Sequence, residues 1–250
     1  ISRPAPPTGG GESAWGVERG KLLGVVRYKP LRLRRAWTLG NTKHEGVETR
    51  SYLFEMKDGL SAEGVWLKGI VTPEQTPVTI VLDDRGRKAA AAEISDAINR
   101  DEQVLAVDLL FTGDAWKGEA PASYAQLIDS VGERTLGVET GQLIEITKWL
   151  RARAGVSKVR LECRGIRSQV VASVAAALEP NLFSSIIVHE GMPTLAFLLE
   201  APVTFQEAPE LFCLDLYRYF DLDRLAAMAA PTSVKVEKYV PIPKQKTRGE

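Results

Sequence analysis

Serine, histidine and carboxylate side chains lie at the ends of apolar stretches of this chain, where they could support nucleophilic chemistry. Ser168 opens an alanine-rich helical stretch, and the apolar run Ser185–His189 ends in a histidine that is followed by Glu190. A serine becomes a nucleophile when a base lies within hydrogen-bond reach and a third group orients that base. Ser168, His189 and Glu190 are therefore the candidate catalytic residues, with Glu162 as an alternative acid.

Ser168 also has a purely structural interpretation. It precedes a predicted helix that begins near Gln169, where a serine satisfies free backbone N–H groups of the first turn. We favour this capping role over that of a displaced nucleophile. The other histidine, His44, lies in the turn-like segment Asn41–Gly46 and is predicted to be exposed.

Charged residues follow several of the predicted strands and could form a binding crevice. These residues are Asp83, Asp84, Arg85, Glu162 and Arg164. Because ligands of open parallel sheets bind outside the carboxyl ends of the strands, we expect them to meet His189 and Glu190 there. Such a cluster is either a small polar binding site or a structural network of ion pairs, and we favour the network. Trp116 is predicted at the rim, where it either stacks on a sugar or packs within its loop.

The elements that must position these residues alternate along most of the chain. Two strands, Val47–Met56 and Leu60–Ile70, are joined by an Asp58-Gly59 turn and predict an antiparallel edge, with Leu31–Leu39 before them. The strands that follow are Val78–Leu82, Val104–Leu110, Val159–Cys163, Ser185–His189 and Ser233–Val240. Helices are predicted at Lys88–Arg100, Leu143–Ala154, Ser168–Leu178 and Asp221–Ala229. Strands this apolar cannot face water, which predicts an α/β fold of three layers with a mostly parallel sheet.

Several local motifs occur in a familiar order between residues 47 and 240. Thr76-Pro77 precedes a strand, Thr112-Gly113-Asp114 follows the next, and the helix after Cys163 ends in Ala-Ala-Ala-Leu-Glu-Pro180. The stretch Phe220–Pro231 then precedes a further strand. In this order the chain resembles the α/β-hydrolase superfamily, and most closely its carbohydrate-esterase and acetyl-xylan-esterase-like branch. The resemblance implies a three-layer α/β-hydrolase fold.

In that superfamily the motif G-x-S-x-G places a serine on a strained turn between strand and helix. Counting back from Leu178-Glu179-Pro180 puts the nucleophile position at Ile166 and the two glycine positions at Arg164 and Ser168. The resemblance therefore implies a degenerate nucleophile elbow. A β-branched residue rarely adopts positive φ, so we expect a relaxed turn with Ile166 at its tip and Gly165 beside it.

The other positions that the resemblance identifies are also unusual. The oxyanion loop reads Asp83-Asp84-Arg85-Gly86-Arg87, and two carboxylates there would repel an oxyanion, although Gly86 could still offer its N–H. The family's acid follows the strand that corresponds to Ser233–Val240, and its histidine follows one strand later. We expect all three triad positions to be empty, with the acid and histidine either outside this chain or mutated.

Composition excludes several classes of function. The 32 basic and 32 acidic residues give zero formal net charge, so nothing indicates nucleic acid or an anionic membrane as a partner. Two cysteines and two histidines lack metal-site spacing, so no metal and no cofactor is expected. Cys163 and Cys213 both lie in apolar runs, which favours two buried thiols over a disulfide.

The ends of the chain are rich in proline and polar residues. Residues 1–18 are predicted to be a linker or trimmed terminus, 19–240 the domain and 241–250 a polar tail. The sequence does not determine the location, and a periplasmic or secreted one is slightly favoured over a cytoplasmic one. The edge of Ser233–Val240 is expected to be covered by another chain, a neighbouring domain or the tail Pro241–Glu250, in which Pro243 would discourage pairing.

These observations favour a carbohydrate-esterase-like domain that is catalytically degenerate and forms the accessory half of a larger esterase. Its partner would be a catalytic hydrolase domain or chain, or a second copy in a homo-oligomer. One alternative is an active acyl or carbohydrate esterase with a non-standard or externally completed triad. The other is a module that binds a small molecule or sugar, such as a carbohydrate ester.

Overall fold

The structure is a computed structural model that describes residues 12–116, 118, 121–201 and 203–241. Within these residues the chain forms a sheet whose strands are β1 (Leu33–His44), β2 (Val47–Met56), β3 (Ser61–Gly69), β4 (Val78–Asp83), β5 (Gln103–Asp108), β6 (Val159–Arg164), β7 (Phe183–His189) and β8 (Ser233–Val236). The helices are α1 (Glu12–Val26), α2 (Ala91–Asn99), α3 (Ala122–Ser130), α4 (Thr135–Ala154), α5 (Ile166–Leu178), α6 (Phe197–Glu200), α7 (Leu214–Tyr219) and α8 (Leu222–Met228).

The sheet is mostly parallel with an antiparallel N-terminal edge. Its strand order is β1-β2-β3-β5-β4-β6-β7-β8. Strands β1, β2 and β3 pair antiparallel, and β3 pairs antiparallel with β5. All pairs from β5 through β4, β6 and β7 to β8 are parallel. The predicted fold class is confirmed, as are the four predicted central strands.

Apolar side chains on both faces explain why the central strands form where they do. Every residue of β4 and β5 is buried. Successive residues of a strand point to opposite faces, so Ile80 and Leu82 join the larger core while Val81 packs in a smaller one. The larger core lies against α1, α4, α5, α7 and α8, whereas α2 covers the other face. Functional side chains are therefore sorted onto two faces by their position in each strand.

The predictions made for the two cysteines and for His44 are confirmed. Cys163 and Cys213 are buried free thiols. The His44 side chain is 83% exposed, as its turn-like segment predicts.

The element boundaries correct several expectations. Helix α1 begins at Glu12, inside the segment 1–18 that the sequence predicts to be a linker, and residues 1–11 lie outside the described part. Helix α3 was not predicted, and α4 begins at Thr135, eight residues before the predicted start at Leu143. In both helices, polar residues interrupt the apolar periodicity from which a helix is predicted.

The far end of the sheet also differs from expectation. Strand β8 is regular only to Val236, although Tyr239 still pairs with Gly191 beyond it. The outer sides of β1 and β8 pair with no strand among the described residues. The predicted cover of this edge by the tail falls on residues 242–250, which are outside the described part. No helix that the structure describes is long and apolar enough to span a bilayer.

Candidate functional site

The strand-to-helix turn between β6 and α5 is built on a glycine. Gly165 adopts φ 101° and ψ 170°, and Ile166 is the first residue of the helix. The prediction that Ile166 occupies the tip is therefore wrong by one residue. Glycine takes positive φ without steric cost whereas isoleucine does not, so the geometry falls on Gly165. Its N–H donates to the His189 carbonyl at 2.8 Å, which fixes the turn against β7.

The carboxylate of Asp84 lies where a side chain at this tip would begin. A Cβ built on Gly165 would overlap Oδ2 and Cγ of Asp84 and would lie 2.8 Å from Oδ1. A nucleophile elbow presents its reactive side chain at this tip. In this chain the tip has no side chain, and the space beside it is already filled.

Asp84 also occupies the hydrogen-bond donors at the start of α5. Its Oδ2 accepts from the Arg167 N–H at 3.0 Å, and its Oδ1 accepts from the Ser168 N–H and hydroxyl, each at 2.7 Å. Burial raises the pKa of Asp84 above its ordinary value, and the hydrogen bonds from Ser168 and Arg167 oppose that rise. The helix N-terminus, which binds anions through its free N–H groups, is thus closed by a carboxylate of the same chain.

Ser168 does not act as the predicted cap. It is the third residue of α5 and is buried, and its hydroxyl donates to Asp84 instead of accepting from a backbone N–H. The capping group comes from a distant segment, which sequence spacing could not indicate.

The predicted oxyanion loop is closed by its own hydrogen bonds. Asp83 accepts from the guanidinium of Arg85, and the Gly86 N–H donates to the Asp83 carbonyl at 2.8 Å. Gly86 has φ 91°, and a Cβ there would overlap Gly113. The N–H that Gly86 was expected to offer is therefore already in use.

Behind the turn lies a buried network of charges that the sequence analysis missed. The Arg167 guanidinium pairs with Glu210, and it also donates to the Phe111 carbonyl at 3.4 Å. Burial raises the pKa of Glu139 well above its ordinary value, and the charge of Glu210 adds to that rise. Burial also raises the pKa of Glu210, although Arg167 opposes it. One oxygen of each glutamate has no hydrogen-bond partner among the described residues.

This network surrounds a cavity of about 20 Å³, lined among others by Thr112, Glu139, Arg167, Ser168 and Glu210. The volume is about that of a single water molecule. Glu139 and Glu210 come from α4 and from a turn 71 positions later (210 − 139), so no local motif brings them together. Their position within mainly apolar stretches is the one signal that could have singled them out.

His189 lies on the other face of the sheet. Its Nε2 is 3.7 Å from Glu162 Oε2, and its Nδ1 is 3.4 Å from Glu237 Oε2. Glu162 in turn accepts from Arg100 at 2.7 Å. Within the described residues no hydrogen bond joins His189 to Ser168, because α5 packs on the opposite face. The predicted Ser168–His189–Glu190 arrangement is not formed.

Glu237 directly follows β8, because that strand ends earlier than predicted. A carboxylate therefore lies beside His189 after this strand.

Arg164 and Glu190 belong to the same face as His189. Arg164 pairs with Glu93 of α2 and, at 2.8 Å, with Glu190, which lies 3.7 Å from Lys238. The residues predicted to line one crevice therefore separate: Asp84 and Ser168 lie with α5, while Glu162, Arg164, His189 and Glu190 lie on the α2 face. The residues on the α2 face form a network of ion pairs and not one crevice shared with Asp84.

Trp116 is held by neighbouring rings. Its ring contacts Phe111 at 4.8 Å and Tyr124 at 5.0 Å, both edge to face. The ring thus packs against its own loop and against α3. Near it, the buried Asp108 at the end of β5 accepts from the Arg87 N–H at 2.6 Å and from the Asp114 N–H at 2.8 Å. This is a second network that the sequence analysis missed.

The described residues contain no group of His, Cys, Asp and Glu side chains suited to a metal ion.

The sheet order, the flanking helices and the strand-to-helix turn define the α/β-hydrolase fold, of the kind found in carbohydrate esterases. A candidate acetyl xylan esterase from Bacteroides fragilis has a TM-score of 0.73 at 12% identity, over 90% of this chain and 67% of its own. Acetyl xylan esterase from Paenibacillus sp. R4 has a TM-score of 0.59 at 14% identity, over 92% and 89%. A glucuronoyl esterase from Solibacter usitatus has a TM-score of 0.60 at 12% identity, over 90% and 74%. At these identities the likeness is one of fold.

Sequence comparison does not assign a family. No family model matches the chain. Ribosomal RNA large subunit methyltransferase H from Koribacter versatilis (strain Ellin345) is 28% identical over 136 residues, which are 48% of this chain and 90% of that protein. Half of this chain is too small a share, at that identity, to place it in that family. The chain also has a formal net charge of zero, without the excess of basic residues that is typical of RNA-binding proteins.

Proposed function

We propose that this chain is a catalytically degenerate carbohydrate-esterase-like domain that serves as the accessory half of a larger esterase. The observation that carries the proposal is the pair formed by Asp84 and Gly165. A side chain is missing at the elbow tip, and the carboxylate beside it repels any oxyanion that would form there. The carbohydrate-ester class is taken from the acetyl xylan esterase and the glucuronoyl esterase that share the fold.

The separation of the remaining candidate groups supports the same proposal. A serine nucleophile needs a base within hydrogen-bond reach. The Ser168 hydroxyl instead donates to Asp84, on the α5 side of the sheet. His189 and Glu237 form their pair on the α2 side.

The accessory role is supported by the two sheet edges. Strands β1 and β8 have unpaired outer sides among the described residues, and such edges are normally covered or paired. Trp37 and Leu39 on β1 are exposed. A catalytic hydrolase chain or a second copy would bind to one of these edges. This chain would then give its partner structural support or shape the substrate side of the partner's site. Light scattering at high concentration tests self-association, and a monomer throughout would remove the homo-oligomer form of the proposal.

Hydrolysis of a small acetyl ester and of acetylated xylan tests the degeneracy directly. We expect turnover far below the ordinary enzyme range of about 1 s⁻¹, with wild type and Ser168→Ala equal. Turnover in that range that Ser168→Ala abolishes would overturn the proposal. The control is a catalytically active acetyl xylan esterase assayed in parallel.

A second candidate function is favoured by the His189–Glu237 pair. An acid beside a histidine could serve a nucleophile that another chain supplies. In that case His189→Asn would abolish turnover by the completed assembly, whereas His44→Asn would leave it unchanged. Equal turnover in both variants would count against this candidate.

A further inference from the structure

A polar pocket lies at the opposite end of the parallel strands from the Gly165 turn. It has a volume of about 330 Å³. Its walls are the start of β2, the end of β3, the segment before β4, the start of β5 and the carboxyl end of α4. The side chains that matter below are Glu48, Arg50, Trp66, Lys68, Glu74 and Arg153. The pocket shares no residue with the network around Asp84.

Positive charge in this pocket is not neutralised. Arg50 is committed to Glu48 through hydrogen bonds of 3.1 and 2.9 Å. Lys68 and Arg153 line the same pocket, and neither has an ion-pair partner in the part of the chain that the structure describes. Glu74 is the remaining carboxylate, so the three cations exceed the two anions by one. A cleft lined by excess charge of one sign concentrates ions of the other.

Trp66 gives the pocket a rigid aromatic wall. Its side chain lies in the core, with its ring 5.9 Å from Trp149 and 6.5 Å from Tyr52. The residue is 9% exposed, and its Nε1 has no hydrogen-bond partner among the described residues. An indole N–H can act only as a donor, and this donor is unused within the described residues.

We propose that this pocket binds a small hydroxylated carboxylate, such as a sugar acid. Lys68 and Arg153 would hold the carboxylate, Trp66 would pack against the carbon skeleton, and Glu74 would accept from a hydroxyl group. A volume of about 330 Å³ equals that of roughly ten water molecules, which is enough for a single six-membered sugar ring. The proposal does not depend on the state of the elbow, so it stands or falls separately from the proposed function.

Calorimetric titration with glucuronate and glucose tests the proposal, because the two probes differ in the carboxylate alone. We expect glucuronate to bind, glucose to bind at least about tenfold more weakly, and Lys68→Gln or Arg153→Gln to weaken glucuronate binding about tenfold. Lys158→Gln is the matched control, since Lys158 is exposed and outside the pocket. Circular dichroism confirms that each variant is folded.

Three results of these sugar titrations would overturn the proposal. They are equal binding of glucose and glucuronate, unchanged glucuronate binding in both pocket variants, and equal weakening by Lys158→Gln. Inorganic phosphate is the last probe. If phosphate competes as well as glucuronate does, the pocket takes a bare oxyanion and the assignment to a hydroxylated carboxylate is wrong.

Discussion

The Asp84 carboxylate and a side chain at position 165 would exclude each other sterically at the strand-to-helix turn. The Asp84 carboxylate sits where a Cβ on residue 165 would be, and it takes the N–H groups of Arg167 and Ser168 as well. Because the same carboxylate fills the space and closes the helix N-terminus, the turn is a structural joint between β4 and α5. Its contacts lead to specific expectations about stability.

Replacing Gly165 with alanine should destabilise the fold more than the same replacement at Gly46, a positive-φ glycine in open space. The substitution combines an unfavourable φ of 101°, with a cost of about 1–3 kcal/mol, and overlap with Asp84. Gly46→Ala is the control, because Gly46 has φ 80° but open space around its Cβ position. Denaturant unfolding measures both.

The Asp84→Ala background separates the two contributions. There the overlap is gone, so Gly165→Ala should cost less than in wild type, with a coupling energy of about 1 kcal/mol or more. Strict additivity of the two substitutions would contradict the geometry described for this pair.

Arg167→Met should destabilise the protein strongly. It removes the cation that faces Glu210 and Asp84 and leaves buried carboxylates unpaired, at a cost of about 3–5 kcal/mol. The exposed Arg153→Met variant should stay within about 0.5 kcal/mol of wild type. A loss below about 1 kcal/mol for Arg167→Met, measured by urea unfolding, would show that the network contributes little.

Glu139 should make stability depend on pH. Burial and the charge of Glu210 raise its pKa in the folded state, so folding favours its protonated form. This contribution is fully present below the pKa of the unfolded chain, about 4.3, and is lost as pH rises through the higher folded pKa. Glu139→Gln removes it, so the variant should gain about 1 kcal/mol or more relative to wild type between about pH 4 and pH 8.

Unfolding free energies across that range test the expectation. Exposed Glu200→Gln is the control and should follow wild type at every pH. A Glu139→Gln curve parallel to that of wild type would contradict the raised pKa.

Both thiols should be unreactive in the native protein. Burial raises the pKa of Cys163, and the charges of Asp84 and Glu162 raise it further. Burial also raises that of Cys213, although Arg134 opposes the effect. Since the thiolate is the reactive species, a chromogenic disulfide reagent should titrate both cysteines after unfolding in guanidinium and neither before. Rapid labelling of the native chain would refute this.

The sequence by itself determined the scaffold. Apolar runs such as Val78–Leu82 and Val159–Cys163 must be buried on both faces, so their order and the helices between them fix a parallel sheet. The Asp58-Gly59 turn likewise fixed the hairpin of β2 and β3. The position of the elbow was predictable to within one residue, because counting from a helix end assumes a helix start that only the backbone reveals.

Tertiary structure alone decided what the site contains. Strand alternation places Glu162 and His189 on the α2 face of the sheet. Ser168 belongs to α5, which packs on the other face. The candidate catalytic residues are therefore separated in space. Conversely, Glu139 and Glu210 meet at Arg167 because packing of α4 against α5 brings distant segments together. A contact between such segments leaves no periodic or local signal, and only the folded chain shows that Asp84 fills the space beside Gly165.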